Sequence, residues 1–204
     1  MRASTPTQNR FCPRLVDLDV DARDKSHALD IAARTFERAY RIDATAIADA
    51  LERREATGST GVGNGVAFPH ARMKGLAAPL TMLLRVRKPI DFDAFDAQPV
   101  TLILVILMPA VAAARQHLDL LAHLAALFDQ ETLREGLVAA RDHRAVGEAF
   151  AEAERALGAT EREDAVPPAA SGRHELGSFR PSHALAQCAK ITSYRGPTPQ
   201  GTNR

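Results

Sequence analysis

The sequence predicts a layered α/β domain, a three-layer sandwich with a central mixed β-sheet flanked by helices. Three observations predict it. The runs LTMLLRVR (Leu80 to Arg87) and VTLILVILM (Val100 to Met108) are too continuously apolar for a half-exposed sheet, so helices must cover both faces. Segments with helical periodicity lie on both sides of these runs along the chain. The 204 residues are 46% apolar and 25% charged, which is enough for one sizeable core.

The elements follow in order. RLVDLDV (Arg14 to Val20) alternates apolar and polar residues, as a short strand does. Ser26 is placed to cap a helix through Tyr40, with Leu29, Ala32, Phe36 and Tyr40 on one face. Asp43 is placed to cap a second helix with Ile47, Ala50 and Leu51 inward, running to about Ala56 and stopping at Gly58. GVAF (Gly65 to Phe68) reads as a short strand ended by Pro69. KPIDFDAFDAQP is a loop punctuated by Pro89 and Pro99, with Phe92 and Phe95 expected beneath it. From Ala112 the reading is helical, with three segments: ARQHLDLLAHLAALF, ETLREGLVAA and HRAVGEAFAEAERAL. Residues 1–14 are expected to be a flexible N-terminus, 15–157 the folded domain and 158–204 a mostly disordered tail. Ten of those last 47 residues are Gly or Pro, and apolar residues recur there without period.

Composition excludes several classes. The net charge is +1, so no broad basic field suggests nucleic acid or an anionic membrane as partner. No run reaches the roughly 18 apolar residues of a membrane span, and no signal peptide is evident, so a cytoplasmic protein without membrane insertion is expected. Cys12 and Cys188 give neither a disulfide framework nor a metal knuckle. His117 and His123 are six residues apart on one helix, about 600° of rotation, and so point to different faces. Asp119 and His123 have the i, i+4 spacing of an exposed pair. Asp91, Asp93 and Asp96 lack the glycine and glutamate of a calcium loop and read as a solvated turn. No metal and no cofactor are expected. Leu118, Leu121, Ala125 and Phe128 are expected in the core.

The most informative stretch is STGVGNGVAFPHARMKG, Ser59 to Gly75. Its spacing leads into a strand and a proline, which rules out the dinucleotide fingerprint, and no GxxxxGK[ST] loop is present. A neutral imidazole is a good nucleophile near neutral pH, and attack on a phosphoryl group makes a phosphohistidine. Such transfer is mostly positioning plus charge stabilisation, so it needs amides, hydroxyls and cations near the ring. Around His70 the sequence offers Gly61, Gly63 and Gly65, Asn64, the hydroxyls of Ser59 and Thr60, and the cations Arg54, Arg72 and Lys74. The bland alternative is a glycine-rich turn that happens to contain a histidine.

Beyond that point the residues carry a resemblance. LERREATGSTGVGNGVAFPHARMKG (Leu51 to Gly75) resembles the signature of the type-2 enzyme IIA domain of the bacterial phosphoenolpyruvate-dependent phosphotransferase system, most closely the nitrogen-regulatory branch. PIDFDAFDAQPVTLILVILMPA and QHLDLLAHLAALF resemble later stretches of the same family, and the likeness spans about Leu15 to Leu157. The resemblance implies that His70 is the phosphorylated nucleophile, held uncharged and accessible. It implies that His117 lies beside it and hydrogen-bonds the phosphoryl oxygens, and that Arg54 pairs with phosphoryl charge. Ser59, Thr60, Gly61, Gly63, Asn64 and Gly65 are then expected to cradle the phosphoryl. The implied donor is an HPr-type phosphocarrier, and the implied role is a regulator that signals by its phosphorylation state rather than a turnover enzyme. Two alternatives stand beside it: a fructose- or mannitol-type IIA that passes phosphate to a IIB partner, and an interaction module that is never phosphorylated. The absence of a membrane or IIB-like segment in the chain favours the regulatory form.

Overall fold

The computed structural model describes residues 12–164. Six strands form one mixed sheet: β1 (Leu15–Val20), β2 (Gly61–Gly63), β3 (Val66–Ala67), β4 (His70–Met73), β5 (Leu80–Ile90) and β6 (Val100–Pro109). Five helices cover it among the described residues: α1 (Lys25–Tyr40), α2 (Ala44–Glu55), α3 (Ala114–Asp129), α4 (Glu131–Ala139) and α5 (His143–Asp164). The strand order is β1-β5-β6-β3-β2, with β4 also pairing with β6. β1 runs parallel to β5, β5 antiparallel to β6, and β3 and β4 parallel to β6.

The sandwich follows from the period-2 alternation of the central strands. In β6, Ile103, Val105 and Leu107 pack with α1 and α2 through Phe36, Ile47 and Leu51. Leu102, Leu104, Ile106 and Met108 pack on the opposite face with α3, α4 and α5. Phe68, Phe128 and Phe150 meet edge to face there, at 5.1 and 5.8 Å between ring centroids. Each such side chain removed from water contributes about 1.5–3 kcal/mol, so both apolar runs are committed to the interior.

Several local expectations are corrected. The residue capping α1 is Asp24, not Ser26: its carboxylate accepts from the His27 amide at 2.8 Å, which starts the helix at Lys25. Asp43 does cap α2, through the Thr45 amide. The chain is ordered before Leu15, where Pro13 is buried and the Arg14 amide donates to Thr81. Helix α5 continues past Leu157 to Asp164, and the expected tail from 165 onward lies outside the described residues. Phe92 is buried, but Phe95 is 50% exposed and lies over Gly63 instead of under the loop. Leu118 is 39% exposed, whereas Leu121, Ala125 and Phe128 are core. His123 pairs with Glu154 of α5 at 3.0 Å, not with Asp119, which faces Arg115 instead.

One charged residue inside an apolar strand has a clear structural task. Arg85 is buried on β5, and its guanidinium donates to the carbonyls of Leu137, Val138 and Ala140 and to the Asp19 carboxylate. It serves the orphan acceptors at the C-terminus of α4, where positive charge is also favoured by the helix dipole.

Candidate functional site

The site forms where the sheet is interrupted. β3 and β4 lie end to end along the same edge of β6, pairing at Leu102 and Ile103 and again from Ile106 to Pro109. Phe68 and Pro69 make the break. Pro69 has no amide to give the ladder, and its carbonyl accepts from the Ile106 amide at 2.9 Å. The strand then resumes at His70. Pro69 does close the first of the two strands, as expected; the strand His70–Met73 that follows it on β6 was not expected. Ala71 and Met73 point into the α1–α2 side of the core, so His70 and Arg72 point to the α3 side.

His70 is held from both nitrogens. Nδ1 lies 2.8 Å from the Phe68 carbonyl, which can only accept, so Nδ1 carries the hydrogen. Nε2 is 2.9 Å from Arg54 Nε, which can only donate, so Nε2 presents its lone pair. The two contacts require the same neutral tautomer. Arg54 comes from α2, on the other side of the sheet, and reaches His70 past the unpaired edge of β4. Its Nη1 also donates to the Gly58 carbonyl and the Thr57 hydroxyl, which anchors it at the C-terminus of α2.

His117 stands opposite on the second turn of α3, its ring centroid 4.9 Å from that of His70 and tilted by 56°. Its Nδ1 is buried and has no hydrogen-bond partner. Burial holds the His70 imidazole down at a pKa of about 3, with the nearby Arg54 charge and His117 adding to the effect and the Phe68 carbonyl opposing it. His117 is lowered as well, by burial first, then by Arg72 and Arg54. Both rings are therefore uncharged near neutral pH.

The structure brings His70, His117 and Arg54 together as expected, but it corrects two parts of that expectation. His70 is only 5% exposed, with its free nitrogen covered by Arg54, so it is not openly accessible. The turn of Gly63, Asn64 and Gly65 lies away from it. Leu102, the partner of Val66, is four residues from Ile106, the partner of His70, which is about 13 Å along the strand. Gly63, Asn64 and Gly65 make the β2–β3 turn at the far end of that separation, with φ of 90°, 53° and 72°. The Asn64 amide is taken by Asp96. A Cβ on Gly61 would lie 2.7 Å from that of Ala94, so this glycine admits a neighbouring loop and not a ligand. The Ser59 hydroxyl donates to the Phe92 carbonyl and accepts from the Gly61 amide. Thr60 gives its amide and its hydroxyl to the buried Glu55 carboxylate, which also meets Lys25 at 3.3 Å.

The acidic loop is likewise structural. Asp91 and Asp96 accept from amides two residues on, and Asp93 pairs with Lys25 at 2.6 Å. Among the described residues no group of three His, Cys, Asp or Glu side chains is arranged to hold a metal ion, and no helix is long and apolar enough to cross a membrane.

Two parts of the site escaped sequence reasoning. The Phe68 carbonyl that fixes the tautomer is backbone and leaves no sequence signal. The tether made by Arg72 was readable in principle: the alternation His70, Ala71, Arg72, Met73 marks a strand that puts Arg72 on the same face as His70.

Two uncharged histidines and an arginine thus meet at a broken edge strand of a three-layer sandwich. The family described as phosphoenolpyruvate-dependent sugar phosphotransferase system, EIIA 2, matches residues 10–153. The chain belongs to this family, and the match opens five residues before the expected limit at Leu15. Among its relatives, a nitrogen regulatory protein of Pseudomonas aeruginosa is 45% identical over 95 residues, 47% of this chain and 61% of that protein. A fructose-specific EIIA component of Haloferax volcanii is 34% identical over 139 residues, 68% of this chain and 90% of that protein. The crystal structure of nitrogen regulatory protein IIA-Ntr from Neisseria meningitidis superposes with a TM-score of 0.62 at 34% identity, covering 66% of this chain and 92% of that one.

Proposed function

We propose that the protein is a phosphoryl-accepting regulator of the phosphotransferase system, phosphorylated on His70 Nε2 and read by its partners through that state. The observation that carries this reading is the tautomer: the Phe68 carbonyl takes the Nδ1 hydrogen and leaves a lone pair on Nε2. In the transfer, that pair forms the new N–P bond while the N–P bond of an HPr-type phosphocarrier's phosphohistidine breaks. The released electron pair returns to the donor imidazole. His70 becomes an N-phosphoimidazolium whose Nδ1–H still donates to Phe68, which offsets the developing positive charge. Arg54 leaves the lone pair and turns to the phosphoryl oxygens, and His117 offers its ring nitrogen to the same oxygens. The dianionic phosphoryl on a ring that keeps its Nδ1 proton changes the net charge at one edge of the sheet by about −1, which is enough to change which partner binds by repulsion or new pairing. The donor is a cytoplasmic carrier, and the protein works in that compartment.

The nitrogen-regulatory relatives support the regulatory role. The fructose-specific relative, matched over 90% of its length, favours a second reading in which the phosphate passes on to a IIB partner for sugar uptake. The test is incubation with phosphoenolpyruvate, enzyme I and the phosphocarrier. Acid-labile phosphate is expected on the wild-type protein and not on His70→Ala. Full labelling of His70→Ala rejects His70 as the acceptor, and no labelling of the wild type leaves an interaction module. Transfer of the label to an added fructose-type IIB would favour the transport reading.

A further inference from the structure

We propose that Arg72 is a further positioning residue of the phosphoryl-transfer site: it pins the turn that leads into α3 and holds a positive charge against His117. This rests on the reading of His70 as phosphoryl acceptor.

Arg72 is two residues after His70 on β4 and so lies on the same face. Its Nη1 donates to the Ala112 carbonyl at 2.8 Å and lies 3.4 Å from that of Ala110. Both carbonyls belong to the short connection from β6 to α3, residues 110–113. The N-cap of α3 is Ala113, which has no side chain able to accept from the helix amides. The entry of α3 is therefore fixed from outside, by the Ala110 amide on the Met73 carbonyl and by the Arg72 guanidinium. His117 is on the second turn of that helix, and helical side chains lean toward the N-terminus. Movement at Ala112 carries the imidazole with it, and a displacement near 1 Å between reacting groups can cost about a hundredfold in rate.

The charge of Arg72 acts on the same ring. The groups facing His117 are Arg72 and His70 from β4 and Arg54 from α2. On α3 itself, Arg115 and Asp119 sit 3.8 Å apart and exposed. Of the two arginines, Arg72 has the larger effect on His117. The site is thus flanked by two cations in separate positions, Arg54 on the His70 nitrogen and Arg72 on the carbonyls at the entry of α3. The buried, unpartnered Nδ1 of His117 marks a position still lacking its hydrogen-bond partner.

The test uses the full chain with Arg72→Gln and Arg72→Lys. Arg72 is exposed, so both variants should fold with melting points near the wild type. Labelling from phosphoenolpyruvate through enzyme I and the phosphocarrier should be about tenfold slower in Arg72→Gln and largely restored in Arg72→Lys, which keeps the charge. In the unphosphorylated protein, imidazole NMR should show His117 titrating at higher pH in Arg72→Gln and near its wild-type position in Arg72→Lys. A change of structure alone would not be rescued by lysine in this way. Labelling of Arg72→Gln at the wild-type rate, or an unmoved His117 titration, overturns the assignment. Failure of the wild type to label would instead overturn the reading of His70, while the titration still decides the role of Arg72.

Discussion

Arg54 donates to the one nitrogen of His70 that is free to react, 2.9 Å away. The cation that would neutralise a phosphoryl group on that nitrogen therefore covers it beforehand. The two states of the site exclude each other: Nε2 either accepts from Arg54 or bonds to phosphorus. Arg54 keeps its hold on Gly58 and Thr57 through Nη1, so its Nε can change partner without α2 being released.

Acid should unfold this protein through His70. Its folded pKa is lowered to about 3, against about 6.5 for an unfolded histidine. Below pH 6.5 the unfolded chain takes up a proton that the folded chain refuses, so stability is full above that pH and falls as the pH drops toward 3. From pH 7.5 to 5 this one group should remove about 2 kcal/mol. Urea unfolding at the two pH values should show His70→Gln losing less over that interval than the wild type. Equal losses would mean that the ring is not kept neutral by its surroundings.

Replacing Arg54 by Gln should free the Nε2 lone pair and also remove a charge that disfavours imidazolium. His70 should then titrate at higher pH, since Arg54 is the largest charge effect upon it. Transfer should slow by about ten- to a hundredfold, because a cation aimed at developing phosphoryl charge is lost. A faster initial rate in Arg54→Gln would show that the cover impedes transfer more than the charge assists it. Single-turnover labelling beside imidazole NMR checks both effects.

The sheet and helices were legible because their signals are long. The two central strands are continuous apolar runs, and α1 and α2 repeat apolar residues at helical spacing. His70 and Arg54 were candidates from the chemistry of the glycine-rich stretch, but His117 was legible through the family resemblance alone, since the proximity of the three joins elements far apart in sequence. The glycines were misjudged because a missing Cβ has one appearance in sequence and several uses. Gly63 and Gly65 supply left-handed turn conformations, and Gly61 supplies room for Ala94. Ser26 lost the α1 cap to Asp24 because both precede the same run and only backbone geometry separates them. Leu118 follows His117 on α3, and with His117 turned to the sheet edge its own direction is toward solvent.

Gly61→Ala should act on stability and not on phosphoryl chemistry. The new Cβ would lie 2.7 Å from the Ala94 Cβ and 2.9 Å from its Cα, so the loop before β6 must move. The cost is about 1–3 kcal/mol, the usual range for overpacking. The melting point should fall while labelling of the folded protein keeps its wild-type rate. A normal melting point with slow labelling would return this glycine to the site.

Thr60→Val decides whether the hydroxyl beside the glycines serves the fold or the phosphoryl group. In the unphosphorylated protein the hydroxyl donates to Glu55, which is buried at the end of α2 and also binds the Thr60 amide and Lys25. That carboxylate joins α1, α2 and the entry to β2, next to the turn on which Arg54 is anchored. Valine has nearly the same shape but cannot donate, so one bond to a buried charge is lost at a cost of about 1–3 kcal/mol. Thr60→Ser keeps the hydroxyl and should lose less. If Thr60 is structural, the melting point should fall in the order wild type, serine, valine, with labelling rates unchanged below the transition. If its hydroxyl turns to the phosphoryl group, valine should instead slow labelling about tenfold at nearly constant melting point.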